Sequence, residues 1–331
     1  MNSVLVSVIM ANYNTPIEYL KIAIDSILNQ TYSNFEFILI DDASNDESLD
    51  YILSYDDSRI RLIRNPQNLG LTKSLNKGLS IAKGKYIIRM DSDDISLPKR
   101  IEKQVQYMES NPDVFVCGTW FEKFGVENII RKPILDDSEW YRCQLLFSNT
   151  PITMCHPSVI IRKSMLDKYN VRYDESIMKA QDYAMWVVCS QFGKMAIIQD
   201  VLLKYRTHGN QISIGQKKEQ YEYSDLISRR QLQKLGIEYQ NSEINWRYDK
   251  VVSEKEYKDF YVWIESIRTA NRKKNTFDCE AMDRYLNQKL KNAIKRLNFL
   301  EKTKVLLFSN KESKQLFFEL LYHSIRRRIN P

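Results

Sequence analysis

Four runs in the first hundred residues each read as a buried strand that stops at a polar cluster. They are "VLVSVIMA" before "NYN", "FEFILIDD" running into "DDASND", "RIRLIRN" before "NPQNLG", and "KYIIRMD" running into "DSDD". Between them lie "TPIEYLKIAIDSILNQ", "NDESLDYILSY" and "LTKSLNKGLSIAKG". In the first of these, Leu20, Ala23, Ile24, Ile27 and Leu28 recur at helical spacing. Thr15 followed by Pro16 predicts an N-cap and a first-turn proline. Near-continuous apolar strands separated by helices imply an α/β fold with a mostly parallel sheet covered on both faces. Ligands of such sheets bind beyond the C-terminal ends of the strands. The four polar clusters therefore share one rim, and the rim is acidic.

Beyond about Pro112 the pattern turns mixed, with strands expected at "VFVCGTWFEKFG", "HPSVIIRK" and "MAIIQDVLLKYR" and a helix across "QDYAMWVVCSQFG". From about Gln216 the chain reads as helical throughout. The reading divides the 331 residues into 1–215 and a helical, basic C-terminal region, 216–331. No apolar run approaches the roughly 18 residues of a membrane span. The N-terminus lacks the basic segment and cleavage site of a signal peptide. Five cysteines without a C-x-x-C pair fit reduced thiols better than a disulfide framework or a zinc site. The expectation is a cytoplasmic protein.

The net charge of +7 is uneven. Residues 1–216 hold 24 Lys/Arg against 26 Asp/Glu, whereas residues 284–331 hold 12 against 3. Such a tail suits an acidic partner. No nucleic-acid module is visible, so nucleic acid is not expected. Leu316, Phe317, Leu320, Leu321 and Ile325 recur at helical spacing before Arg326, Arg327 and Arg328. Two readings stand for this helix: docked on the preceding domain with a solvated basic end, or laid on an anionic inner leaflet.

The cluster "DSDD" carries the chemistry. Two like charges about 4 Å apart repel by roughly 4 kcal/mol even at an effective dielectric near 20, so three carboxylates in four positions call for positive charge nearby. A hard divalent cation, Mg²⁺ or Mn²⁺, takes such oxygen ligands and completes its shell with phosphates and water. The plainer reading is that Asp93 or Asp94 caps the helix at "LPKRIEKQVQYM". No G-x-G-x-x-G follows the first strand, and no P-loop or nucleophile elbow is present.

In order and spacing, "VSVIMANYN", "DDASND", "NLGLTKSLNKG", "YIIRMDSDD" and "YRTHGNQIS" resemble the inverting family 2 glycosyltransferases with the GT-A fold. The resemblance spans residues 4 to 215. It implies a Rossmann-like catalytic domain, a nucleotide-sugar donor, most often a UDP-sugar, and Mn²⁺ or Mg²⁺ bridging enzyme and diphosphate. It implies Asp93 and His208 as metal ligands, and Ala11, Tyr13, Asn14, Asp41, Asp42, Lys73, Asp91 and Ser92 as donor-binding residues. Among these, Asp42 would read the uracil edge, Tyr13 would pack on the base, and Lys73 would contact base or phosphate. Asp182 in "KAQDYAMW" matches the family's catalytic base, with Gln181 in place of the usual Glu. His156 is expected to be structural or acceptor-side. The Q-x-x-R-W signature of processive members is absent, so one sugar per acceptor is expected. A polyprenyl-diphosphate-linked saccharide in surface polysaccharide synthesis would suit the basic tail, with the enzyme peripheral on the inner membrane face. The alternative is a non-catalytic module of the same fold that binds nucleotide-sugars or a partner protein.

Overall fold

The computed structural model describes residues 3–147, 154–209, 217–238, 249–251, 253–298, 300–302 and 305. They form two compact units, one drawn from Met1–Leu145 and Thr150–Ile227, the other from Leu146–Asn149 and Ser228–Pro331.

In the first unit β1 (Val6–Asn12), α1 (Ile17–Leu28), β2 (Phe35–Asp41), α2 (Ser48–Leu53), β3 (Ile60–Arg64), α3 (Leu71–Ile81) and β4 (Tyr86–Asp91) alternate as the apolar runs require. Strands β3, β2, β1 and β4 lie side by side and parallel. Beyond β4 come β8 (Ile160–Arg162), antiparallel to it, and β6 (Val114–Gly125), antiparallel to β8. Then come β9 (Lys194–Thr207), parallel to β6, and the short β5 (Ile95–Ser96) on its far side. A further strand, β7 (Ile129–Arg131), folds back on β6 as a hairpin. Strands β1 to β4, β6 and β9 thus all run one way. The sheet is a mostly parallel α/β sheet, with a helical C-terminal region after it.

Alternation along each strand separates two cores. Val6, Val8 and Met10 of β1 and Tyr86, Ile88 and Met90 of β4 pack with α1 and α4 (Arg100–Ser110). Ile9 and Ile87 face the opposite side, against α3 and α7 (Gln181–Cys189). Burying each such aliphatic side chain contributes about 1.5–3 kcal/mol. Arg89 shares the face of Ile87 and is 3% exposed, a charge inside a core.

Thr15 does not cap α1. The helix begins at Ile17 with no side-chain cap, and the Thr15 hydroxyl instead pairs with Ser92 Oγ at 2.7 Å. The first turn is tied to the "DSDD" turn rather than to its own backbone. Asp93 and Asp94 cap nothing either, since α4 also begins without a side-chain cap.

In the second unit α9 (Glu254–Lys274) and α10 (Cys279–Arg296) each bury one stripe at helical spacing, Tyr257, Phe260, Ile264 and Ile267 on one, Met282, Leu286, Leu290 and Ile294 on the other. Ser253 and Asp278 cap them. Buried Lys289 is neutralised by Asp249 at 2.6 Å. An earlier helix, α8 (Lys217–Leu235), contains the division between the units. No helix among the described residues is long and apolar enough to cross a membrane. The amphipathic pattern at 316–328 lies outside the described residues.

Gly84 turns the chain from α3 into β4 so tightly that an added Cβ would lie 2.4 Å from the Ser7 backbone nitrogen. Its own N–H donates to Ser7 Oγ at 2.8 Å. Backbone cannot yield as a side chain does. We expect Gly84→Ala to cost at least about 3 kcal/mol, the upper end of ordinary overpacking, read as a lower urea midpoint at unchanged m-value. A midpoint equal to wild type would contradict this packing.

Candidate active site

Register brings the polar clusters together. Asn12 lies opposite Asp41 on one side of β1, and Ala11 lies opposite Asp91 on the other. Side chains hold the loops that follow. Asn12 is buried and donates to Ser48 Oγ at 3.0 Å, Ser44 Oγ at 3.1 Å and Asp41 Oδ1 at 3.3 Å. Asn14, at φ 49°, accepts from Asn45 N–H at 2.9 Å. Asp41 is fully buried and accepts from Ser44 N–H. Asp42 accepts three hydrogen bonds, from Asn65 Nδ2 at 2.7 Å, Leu69 N–H at 2.9 Å and Gly70 N–H at 2.8 Å. Tyr13 stands exposed beside them. These residues shape one half of the rim.

Lys73 is on the exposed face of α3. One turn later Lys77 donates to Asn65 Oδ1 at 2.8 Å, and Asn65 in turn holds Asp42. Lys77 is therefore the α3 lysine wired into this half of the site. The helical offset of four residues was the only clue to it.

The other half is the "DSDD" turn. Asp91, Asp93 and Asp94 each offer a carboxylate oxygen within 4.8 Å of the others. Asp93 Oδ2 lies 3.0 Å from His208 Nε2, which joins two residues 115 apart in sequence. Asp94 is fully buried. Its Oδ1 accepts the Arg206 N–H at 2.8 Å, while buried Oδ2 has no partner. Burial, then Asp91 and Asp93, push the Asp94 pKa well above the carboxylate range. Burial raises Asp91 too, opposed by its ion pair with Arg89. An orphaned buried acceptor among three crowded carboxylates is what a hard divalent cation would satisfy. Asp91, Asp93, Asp94 and His208 form a donor set that fits one.

The protein supplies part of the positive charge itself. Arg89 pairs with Asp91, and its Nε and Nη1 have no protein partner. Arg100 is fully buried behind it, donating to the Arg89 carbonyl at 2.8 Å, and burial pulls its pKa down to about 9. Arg206 donates from Nε to the Asp93 carbonyl at 2.8 Å. Its guanidinium lies 4.0 Å from the Tyr19 ring centroid and 4.5 Å from that of Phe124. Arg89, Arg206, Lys77 and Asn65 are the site residues that sequence reasoning missed. The only signal for Arg89 was a charge inside an apolar run.

Asp182 opens α7 after Ala180, whose φ of 61° is a left-handed conformation that non-glycine residues seldom adopt. Tyr183, Met185 and Trp186 anchor the helix in the core. The Asp182 Oδ1 accepts its neighbour's Tyr183 N–H at 2.8 Å. Burial raises its pKa, Arg89 opposes that rise and Asp91 adds to it. Asp182 therefore shares the electrostatic neighbourhood of the "DSDD" turn. His156 is buried and neutral, since burial holds its pKa well below the usual value. Its Nε2 pairs with Tyr173 OH at 2.8 Å.

The family described as Glycosyl transferase family 2 matches residues 7–169. An uncharacterized glycosyltransferase of Methanocaldococcus jannaschii is 39% identical over 235 residues, 68% of this chain and 79% of that protein. One from Haemophilus influenzae is 35% identical over 255 residues, 72% of this chain and 77% of that protein. The Escherichia coli UDP-Glc:alpha-D-GlcNAc-diphosphoundecaprenol beta-1,3-glucosyltransferase WfgD is 28% identical over 229 residues, 69% and 87% respectively. Among solved structures, S. aureus TarS 1-349 in complex with UDP-GlcNAc superposes with a TM-score of 0.58 at 15% identity, covering 87% of this chain and 90% of that one. That likeness is one of fold, the GT-A arrangement.

Arg89→Met would leave Asp91 crowded by two carboxylates without its counter-ion. Breaking a buried pair from one side costs about 3–5 kcal/mol. We expect that loss in urea unfolding in metal-free buffer, with Asp91→Asn restoring part of it in the double variant. A coupling near zero would show that the pair does not hold the turn.

Proposed function

The chain belongs to glycosyl transferase family 2, and on that premise we propose a metal-dependent inverting enzyme that moves one sugar from a UDP-sugar to a saccharide carried on a polyprenyl diphosphate, in surface polysaccharide synthesis. The observation that carries this reading is the meeting of Asp91, Asp93, Asp94 and His208 at one rim, with Asp182 in electrostatic reach. WfgD, by its name, uses UDP-glucose and a diphosphoundecaprenol-linked acceptor, which supports the choice of donor and acceptor class. The same reading places the enzyme in the cytoplasm, peripheral on the inner membrane face. The domain frame is a donor-binding catalytic part, 1–215, and a basic helical part, 216–331, that contacts acceptor, membrane surface or a second copy of the chain.

A carboxylate offers about four acceptor sites. Asp42 uses three on the Asn65–Gly70 loop between β3 and α3, which leaves one for the uracil ring N3–H. Tyr13 packs on the base. Ala11, Asn14, Asp41 and Ser92 shape the pocket, and Lys77, through Asn65, holds Asp42 in place. Lys73 reaches the base or phosphate only if its long side chain turns inward. Asp93 and His208, with Asp91 and Asp94, would hold Mn²⁺ or Mg²⁺. When bound, the ion supplies positive charge to offset what grows on the leaving diphosphate.

Asp182 takes the proton of the acceptor hydroxyl as that oxygen attacks the anomeric carbon, on the face opposite the departing nucleotide. Oδ1 is engaged by Tyr183 N–H, so Oδ2 receives the proton. A carboxylate made more basic by burial is the better base. The Tyr183 N–H and Arg89 both oppose that rise.

Two measurements test the reading. Calorimetric titration of UDP, with GDP and dTDP as controls, is expected to show selective binding that needs Mn²⁺ and disappears in Asp93→Asn. Binding indifferent to both would remove the assigned donor site. Asp182→Asn is expected to cut turnover by about 10²–10⁴-fold, the usual worth of a positioned base, and to leave UDP affinity nearly unchanged. Its effect on stability has the opposite sign. A folded pKa above the unfolded one means the folded state binds more protons, so stability falls as pH rises between the two values. The amide removes that loss while keeping the Tyr183 hydrogen bond. The variant should therefore unfold at higher denaturant than wild type at pH 7, and the difference should vanish below about pH 4, the unfolded carboxylate value. Unchanged turnover would assign the base elsewhere.

A further inference from the structure

The hairpin formed by β6 and β7 is apolar where soluble hairpins are polar. Val126 is 75% exposed, Ile129 45%, Ile130 50% and Ile134 63%. Ile129 and Ile130 are consecutive strand residues, so their side chains leave opposite faces of the ribbon. Ile129 pairs across from Lys123 and Ile130 from Glu122. A flat protein partner would cover one face and leave the other wet. A medium that surrounds the ribbon covers both.

The charges around it point to the same medium. Residues 122–134 contain Lys123, Arg131 and Lys132 against Glu122 and Glu127. Lys123 bonds Glu127 at 2.8 Å, and Lys132 lies 5.2 Å over the ring of half-buried Trp120. Trp120 Nε1 donates to the Pro133 carbonyl at 2.9 Å. An apolar tip with basic and aromatic residues at its neck matches an element seated at the boundary of an anionic bilayer.

The hairpin is also fastened to the site. Val126 N–H donates to the Thr207 carbonyl at 3.1 Å, and Glu127 N–H to Thr207 Oγ1 at 2.8 Å. Gly125, at φ 101°, approaches so closely that a Cβ would lie 2.5 Å from the Thr207 oxygen. His208 follows Thr207 directly and meets Asp93. We infer that the β6–β7 hairpin is a lipid-docking element that dips into an anionic membrane surface beside the donor site. A lipid-borne acceptor, as proposed above, gives that contact its use, and docking there delivers the acceptor head to the Asp93–His208 side of the sheet.

The test reads lipid binding without donor, acceptor or metal, so it stands apart from UDP titration. The full chain is floated with phosphatidylglycerol–phosphatidylcholine vesicles and with phosphatidylcholine alone. Wild type should partition to the anionic vesicles, and Ile129→Asp/Ile130→Asp should lose about tenfold or more of that partitioning. Ile129→Thr/Ile130→Thr keeps β-branched strand residues and should lose part of it. Both side-chain pairs are solvent-exposed, so melting temperatures should stay within about 2 °C of wild type, which separates lost docking from lost folding. Flotation unchanged in both variants, or absent in wild type, would overturn the inference. So would a wild-type dimer that the same substitutions dissolve without lipid, since the hairpin would then join two copies of the chain.

Discussion

A guanidinium buried in a strand meets three carboxylates at the strand's end, and the first unit is arranged around that meeting. Arg89 lies in the β4 stretch of Ile87 and Ile88, where desolvating an isolated charge costs several kcal/mol. Its compensation is Asp91, two residues on and on the same face. Asp91 in turn is crowded by Asp93 and Asp94. The two imbalances meet at one point, so neither side can be edited alone.

Elements distant in sequence are recruited to hold that point. Arg206, near the end of β9, places its backbone N–H on Asp94 and its side chain on the Asp93 carbonyl. Tyr19 of α1 and Phe124 of β6 sandwich its guanidinium. Thr15 spends its hydroxyl on Ser92. The turn therefore rests on α1, β6 and β9 at once. That over-determination is what keeps the like charges together. The orphaned Asp94 oxygen shows that the protein's own cations leave the balance incomplete.

Local chemistry made much of this legible in the sequence. Apolar runs that stop at polar clusters disclosed β1 to β4, their parallel direction and the rim that carries "NYN", "DDASND" and "DSDD". Hard-cation logic singled out the "DSDD" cluster because carboxylates so spaced need a positive partner, and the family resemblance named Asp91 and Asp93 within it. Lys73 and Thr15 show where such reading ends. Lys73 and Lys77, four residues apart, share one side of α3 and differ by a turn along it, and only the fold puts Asn65 beside the second. Thr15 has two possible partners, its own helix and a turn 77 residues away, and the chain alone does not rank them.

What the sequence by itself determined is whatever depends on neighbours: strand and helix identity, the burial face of each, the acidic turn and the family to which it points. What only the tertiary structure decided is how charges from separate elements are paired. Arg89 reads as an anomaly in an apolar run until Asp91 and Asp182 stand beside it. Arg206 reads as a strand-end arginine until it is seen to clamp a turn more than a hundred residues away, and the apolar residues of 126–134 carry no meaning until both faces of their hairpin prove open. The physical reason is common to all three. Burial and electrostatic pairing depend on distance through space, and a linear chain encodes those distances only through the fold.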